Sequence, residues 1–153
     1  MAVGRERPLD PRRFLTKEEQ EAVVRAIEEV EQRSTCEIRV HIAKEVKRGD
    51  VLQEAINTFN KLGMYKTAQR TGVLFFLAIK NRAFAIIGDK GIHEKAGEGF
   101  WKEAAHTMEE YFTRGEFGEG LVAGIQAVGK LLETYFPITP DDTNELPNEI
   151  SFE

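Results

Sequence analysis

One stretch constrains this chain more than any other: residues 70–91, RTGVLFFLAIKNRAFAIIGDKG. Residues 73–79 form an unbroken apolar run of strand length, with Gly72 in front of it. A strand with water on one face alternates apolar and polar residues, so an unbroken run of this kind belongs to a strand buried on both faces. Lys80 and Asn81 interrupt it, a second run covers 82–87, and Gly88, Asp89, Lys90 and Gly91 close it. Two such runs around a short polar break read as a β-hairpin at the centre of a sheet. Lys-Asn is not the Asn-Gly type that favours a two-residue turn, so the turn geometry stays open.

The chain on either side supplies layers for that sheet. Thr16 and Glu19 have capping-box spacing at the start of a first helix, whose stripe is Val23, Ala26, Ile27 and Val30. Residues 36–43 alternate. Cys36, Ile38, Val40 and Ile42 face one way, while Glu37, Arg39 and His41 form a face expected to be at least partly polar. Asp50 caps a second helix with Leu52, Ala55, Ile56 and Phe59 inward, and Gly63 stops it. Strand, helix, strand in this order predicts a right-handed crossover, with the first strand parallel to 73–79. A short helical turn is expected at 92–96. A third helix spans about 100–113, with Trp101, Ala104, Ala105, Met108 and Phe112 on one face. A fourth covers about 116–135, with Phe117, Leu121, Ile125, Val128, Leu132 and Tyr135 inward. Gly120, Gly124 and Gly129 each cost this last helix about 1 kcal/mol against alanine, which calls for close packing against another element.

The expected fold is therefore α/β: a three-layer α/β/α sandwich with a small mixed sheet, parallel strands plus the central hairpin, covered by about four helices. The domain is placed at residues 14–137. Residues 1–13 are expected as a flexible basic arm carrying Arg5, Arg7, Arg12 and Arg13, and 138–153 as an acidic, proline-containing tail. The formal net charge of −5 argues against a general nucleic-acid binder. A single cysteine, Cys36, excludes an intramolecular disulfide and a multi-cysteine zinc site; it reads as a small buried hydrophobe. No segment has the length of a membrane span, and the first residues lack the apolar core of a signal peptide, so a soluble, cytoplasmic protein is expected.

Chemistry is sparse in the motifs. There is no Walker-type glycine loop and no G-x-G-x-x-G after a strand, and His41, His93 and His106 lack metal spacing. Topology offers one better place. With the first two strands parallel and the third running back, Glu37, Arg70 with Thr71, and the turn from Gly88 to Gly91 all reach one end of the sheet. Glu37 and Asp89, with Glu94 and Glu98 just downstream, offer the oxygens that a hard cation such as Ca²⁺ takes. Arg70 and Lys90 stand beside them. The alternative is that Arg70 pairs with Glu37 or Asp89 and ties the strand ends together.

The succession FLTKEEQ, CEIRVHI, RTGVLFFLAIKNRAFAIIGDKGI, FW and YFTRGEFGEGLVAGIQAVGKLLETYFP resembles the TPM-domain family. That family is named for a plant thylakoid lumen protein, a photosystem II repair protein and a worm receptor-associated protein. The resemblance covers about residues 14–137 and is to a short, soluble bacterial branch without signal peptide or membrane helix. It implies the same α/β/α sandwich, divalent-cation binding with Ca²⁺ foremost, and, from the plant branch, a weak acid phosphatase activity. The metal role carries onto Glu37 and Asp89. Residues 92–98 interleave His93 and Lys95 with Glu94 and Glu98, where the secreted branch is more acidic. The expected function is a non-catalytic domain that binds Ca²⁺, a protein partner, or both. The alternatives are a metal-dependent phosphatase using Asp89, Lys90 and Arg70, and a purely structural or assembly role.

Overall fold

A computed structural model describes residues 7–138 and 150–152. Its first element after Arg7 is a short helix, α1 (Pro11–Phe14), capped by Asp10. Then follow α2 (Lys17–Glu31), β1 (Glu37–Ala43), α3 (Val51–Lys61), β2 (Gly72–Ala78), β3 (Ala83–Gly88), α4 (Lys90–Ala96), α5 (Lys102–Thr113), α6 (Phe117–Tyr135) and β4 (Ser151–Phe152). Among the described residues there are thus six helices where about four were expected; the other two are short, α1, which was not expected, and α4, which contains the helical turn expected at 92–96.

The four strands lie in the order β3-β2-β1-β4. β1 runs parallel to β2 in a register that sets Glu37 opposite Gly72 and Ala43 opposite Ala78, so α3 is the expected crossover. β2 and β3 are antiparallel and form the hairpin. Every residue of β2 is buried, as its unbroken apolar run requires. The hairpin is not wholly central, however: β2 is interior, but β3 is an edge. Its turn is longer than the two residues of the polar break. Residues 79–82 make it, Arg82 N–H donates to the Ile79 carbonyl, and Arg82 takes a left-handed φ of 51°.

Two cores sandwich the sheet. On one side Ile38, Val40, Ile42, Val73, Phe75 and Leu77 meet the stripe of α2 and the buried residues of α5 and α6. On the other, Ala43, Leu74, Phe76 and Ala78 meet Ala55 and Phe59 of α3, together with Met64. Burying an aromatic such as Phe75, 1% exposed, stabilises by about 2–3 kcal/mol. The expected close packing of the α6 glycines is present: Gly120 and Gly124 face Phe112 and Met108 of α5, and Gly129 faces Val30 of α2.

The layer order corrects several details. The Glu37 face of β1 is polar as expected, but more deeply covered than a solvated face would be: Glu37 and His41 are buried and Arg39 is half-buried. The phase of α3 is also shifted. It buries Ala55, Thr58 and Phe59, whereas Leu52 is 57% and Ile56 36% exposed. Small Ala55 lets the helix approach the sheet, and the larger aliphatics are rotated outward. Trp101 precedes α5 instead of packing within it, and its indole N–H donates to the Glu98 carbonyl. Tyr135, at the end of α6, is exposed.

The described parts of both expected appendages contact the domain. Arg7 reaches Glu19 of α2, and Pro11 is buried at the start of α1. Residues 151–152 pair in parallel with His41 and Ile42 of β1. Residues 1–6, 139–149 and 153, with Arg5 among them, lie outside the described residues.

Candidate functional site

The register brings the expected residues to one end of the sheet. Glu37 opens β1 opposite Gly72, and Asp89, just past β3, donates its N–H to the Gly72 carbonyl. Strand alternation puts Glu37 and Asp89 on the α3 side, with side-chain-free Gly72 between them. A Cβ at Gly72 would meet the Met64 carbonyl at 2.8 Å, so the segment after α3 seals this row. Glu37 is 3% and Asp89 6% exposed.

Charge at this end is arranged by a fork. The Arg70 Nε and Nη2 atoms donate to the two Asp89 carboxylate oxygens at 2.7 and 2.8 Å. Such a bidentate, charge-assisted pair is among the stronger side-chain contacts. The bond to Asp89 holds the Arg70 guanidinium above its ordinary value. Asp89 also caps α4, accepting the Lys90 N–H at 2.8 Å. Of the two pairings open to Arg70 in the sequence, Asp89 is the partner.

The fork is held by the backbone. Arg70 sits at φ 57°, a left-handed position that costs a non-glycine residue roughly 1–2 kcal/mol. Its N–H donates to the Thr67 carbonyl, and its own carbonyl accepts the Gly91 N–H. Gly91 has to be glycine here, since a Cβ would lie 2.3 Å from the Gln69 carbonyl oxygen and 2.6 Å from that of Arg70. The glycines of the Gly88–Gly91 turn therefore serve close packing: a Cβ at Gly88 would likewise strike the Phe100 ring.

The remaining candidates separate. Lys90 and Glu94 are on the exposed side of α4, and Glu98 is exposed beyond it. Among the described residues no group of three or more His, Cys, Asp or Glu is placed to hold a metal ion. Ca²⁺ takes six to eight oxygens. The Asp89 oxygens are engaged by a guanidinium and a backbone N–H, and Glu94 does not join Glu37 and Asp89, so the set as arranged does not fit that ion. Cys36 packs in the core, with burial pushing its thiol up to about 12. His106 is exposed beside Glu110, and His41 bonds Ser151 through Nδ1 at 2.7 Å.

A family profile described as the TPM domain matches residues 9–131. The chain belongs to the TPM-domain family. Among solved structures, this TPM domain is similar to the BA42 protein of the psychrophilic bacterium Bizionia argentinensis, at 40% identity and a TM-score of 0.85, over 92% of this chain and 96% of that one. It also shares a fold with the N-terminal domain of a P. gingivalis protein, at 18% identity and a TM-score of 0.66, over 80% of this chain and 78% of that one. No curated protein matches it. No helix among the described residues of this TPM domain is long and apolar enough to cross a membrane.

Two features escaped the sequence. The Glu19 carboxylate accepts from Arg7, from the Thr16 N–H and from the Gly118 N–H, joining three separate parts of the chain. Only its capping-box member was visible as a motif. The other is a basic rim at the opposite end of the sheet, where loops far apart in sequence meet.

Proposed function

We propose that this TPM domain is a non-catalytic binding module whose ligand is a partner surface. The observation that carries the reading is the Arg70–Asp89 fork. A phosphatase at this end of the sheet would need a carboxylate to act on a nucleophile or hold a metal, and a cation to meet the phosphoryl oxygens. Of the three residues expected for those tasks, Asp89 and Arg70 neutralise each other, and Lys90 is on the exposed side of α4. The expected outcome is that hydrolysis of p-nitrophenyl phosphate, with Mg²⁺, Mn²⁺ or Ca²⁺ supplied, does not exceed the buffer rate. Any trace should persist unchanged in Asp89→Asn. Turnover that is lost in Asp89→Asn while the fold is kept would overturn the reading.

One observation favours a second reading, in which Ca²⁺ is the ligand: two buried carboxylates, Glu37 and Asp89, share one row with only Gly72 between them. Ca²⁺ there would have to displace Arg70 from Asp89. Amide shifts during a titration to millimolar Ca²⁺ separate the two. The binding-module reading expects the signals of Glu37, Asp89 and Glu94 to stay still, and saturable movement at all three would establish the cation instead.

A further inference from the structure

The carboxyl ends of the two parallel strands lie opposite the Arg70–Asp89 fork, and there the structure joins two loops. Residues 44–50 (KEVKRGD) leave β1, and residues 79–82 (IKNR) form the hairpin turn. Lys80 N–H donates to the Lys44 carbonyl at 2.9 Å. The Asn81 side chain clamps Val46 from both sides, its Oδ1 accepting from Val46 N–H at 2.8 Å and its Nδ2 donating to the Val46 carbonyl at 3.0 Å. This staple sets Lys44, Lys47, Arg48, Lys80 and Arg82 on one rim, all five exposed.

Against these five cations the two loops carry two acids, Glu45 and Asp50, and Asp50 is occupied in capping Gln53 N–H. The chain as a whole is at −5, so the positive rim is a local reversal that gives the molecule a direction in an electric field. The rim continues onto α3, whose first turns present Leu52 and Ile56 outward. The neighbouring exposed positions on that helix are Gln53, Glu54 and Asn57.

We infer that this end of the sheet docks on an anionic bilayer surface: the basic rim meets lipid headgroups, and Leu52 with Ile56 enters the interface. Lysine and arginine beside exposed aliphatic side chains are the composition of interfacial anchors. A nucleic-acid surface would instead interleave aromatic side chains for bases to stack on, and the rim carries none. The inference deepens the binding-module reading by naming the partner's chemistry.

Cosedimentation of the full chain with vesicles tests it. The protein pellets with phosphatidylglycerol–phosphatidylcholine vesicles and stays in the supernatant with pure phosphatidylcholine. High salt releases it, whereas soluble glycerol phosphate at matched concentration does not. Each basic residue removed weakens binding about fivefold, so the triple variant K47Q/R48Q/K80Q loses on the order of a hundredfold. Leu52→Ser also weakens binding, and K80Q/R82Q repeats the test from the other loop. Equal binding to neutral vesicles, no binding to anionic ones, release by glycerol phosphate, or a triple variant that binds as before would each overturn the inference. Tighter binding to an oligonucleotide than to anionic vesicles would do the same. Asp89-dependent phosphatase turnover would sink the non-catalytic reading and leave vesicle binding intact. Failed vesicle binding without turnover would sink this inference alone.

Discussion

A single carboxylate, Glu19, does several jobs in this domain. It closes the capping box of α2 through the Thr16 N–H at 2.8 Å, pairs with Arg7 at 2.6 and 2.9 Å, and accepts the Gly118 N–H at 3.2 Å. Burial by itself would raise its pKa, but the bonds from Arg7, Thr16 and Gly118 outweigh that and hold it below the ordinary glutamate value. The unfolded chain then binds its proton more readily than the folded one. The stabilisation is whole above the ordinary value and is lost as pH falls through the depressed one. Glu19→Gln keeps a capping-box residue but removes the charge. Urea unfolding between about pH 7 and pH 3 should show a shallower acid loss in the variant than in the parent, with the two curves converging at the acid end. Parallel curves would mean that Glu19 is not a source of acid sensitivity.

Among the elements, α5 and α6 are joined by missing side chains. A Cβ at Gly120 would stand 2.6 Å from the Phe112 ring and 2.9 Å from the Tyr111 Cβ, while one at Gly124 would meet the Met108 sulfur. Gly120→Ala gains about 1 kcal/mol of helix propensity and loses about 1–3 kcal/mol to overpacking against a ring and a neighbouring helix. The sum should be a destabilisation of about 1 kcal/mol in chemical denaturation. Gly124→Ala should cost less, because a methionine side chain can swing aside. These glycines were legible as anomalies inside a helical pattern, just as the hairpin and its crossover were legible from local apolar runs. What the sequence could not disclose depends on partners. Two residues of β4 have no period to read, and their strand exists because His41 and Ile42 lie beside them. The outward rotation of Leu52 and Ile56 is decided by how closely Ala55 can approach the sheet. At the candidate site the meeting of Glu37, Arg70 and Asp89 followed from topology. The choice of Asp89 as Arg70's partner needed the left-handed backbone at Arg70.

For the whole molecule, the sheet is a record of distances along the chain. β2 and β3 are neighbours in sequence, β1 reaches β2 across a helix, and the bond from His41 to Ser151 spans 110 residues. Contacts of short span close quickly and those of long span late. The hairpin is then an early nucleus, and β4 is the last strand to arrive. Interactions absent from the transition state govern how fast a protein opens rather than how fast it forms. Deleting residues 150–153 removes the buried Ile150 and the Phe152 ring stacked against Arg12. It should cost about 2 kcal/mol, visible as a faster unfolding limb with the folding limb almost unmoved; an equal slowing of folding would place β4 in the nucleus. The short strand that covers His41 is thus the sheet's slowest closure and its earliest release. Amide exchange along β1 should be fastest around the pairs it makes with β4, and the edge uncovered there is where another extended chain would find the sheet open.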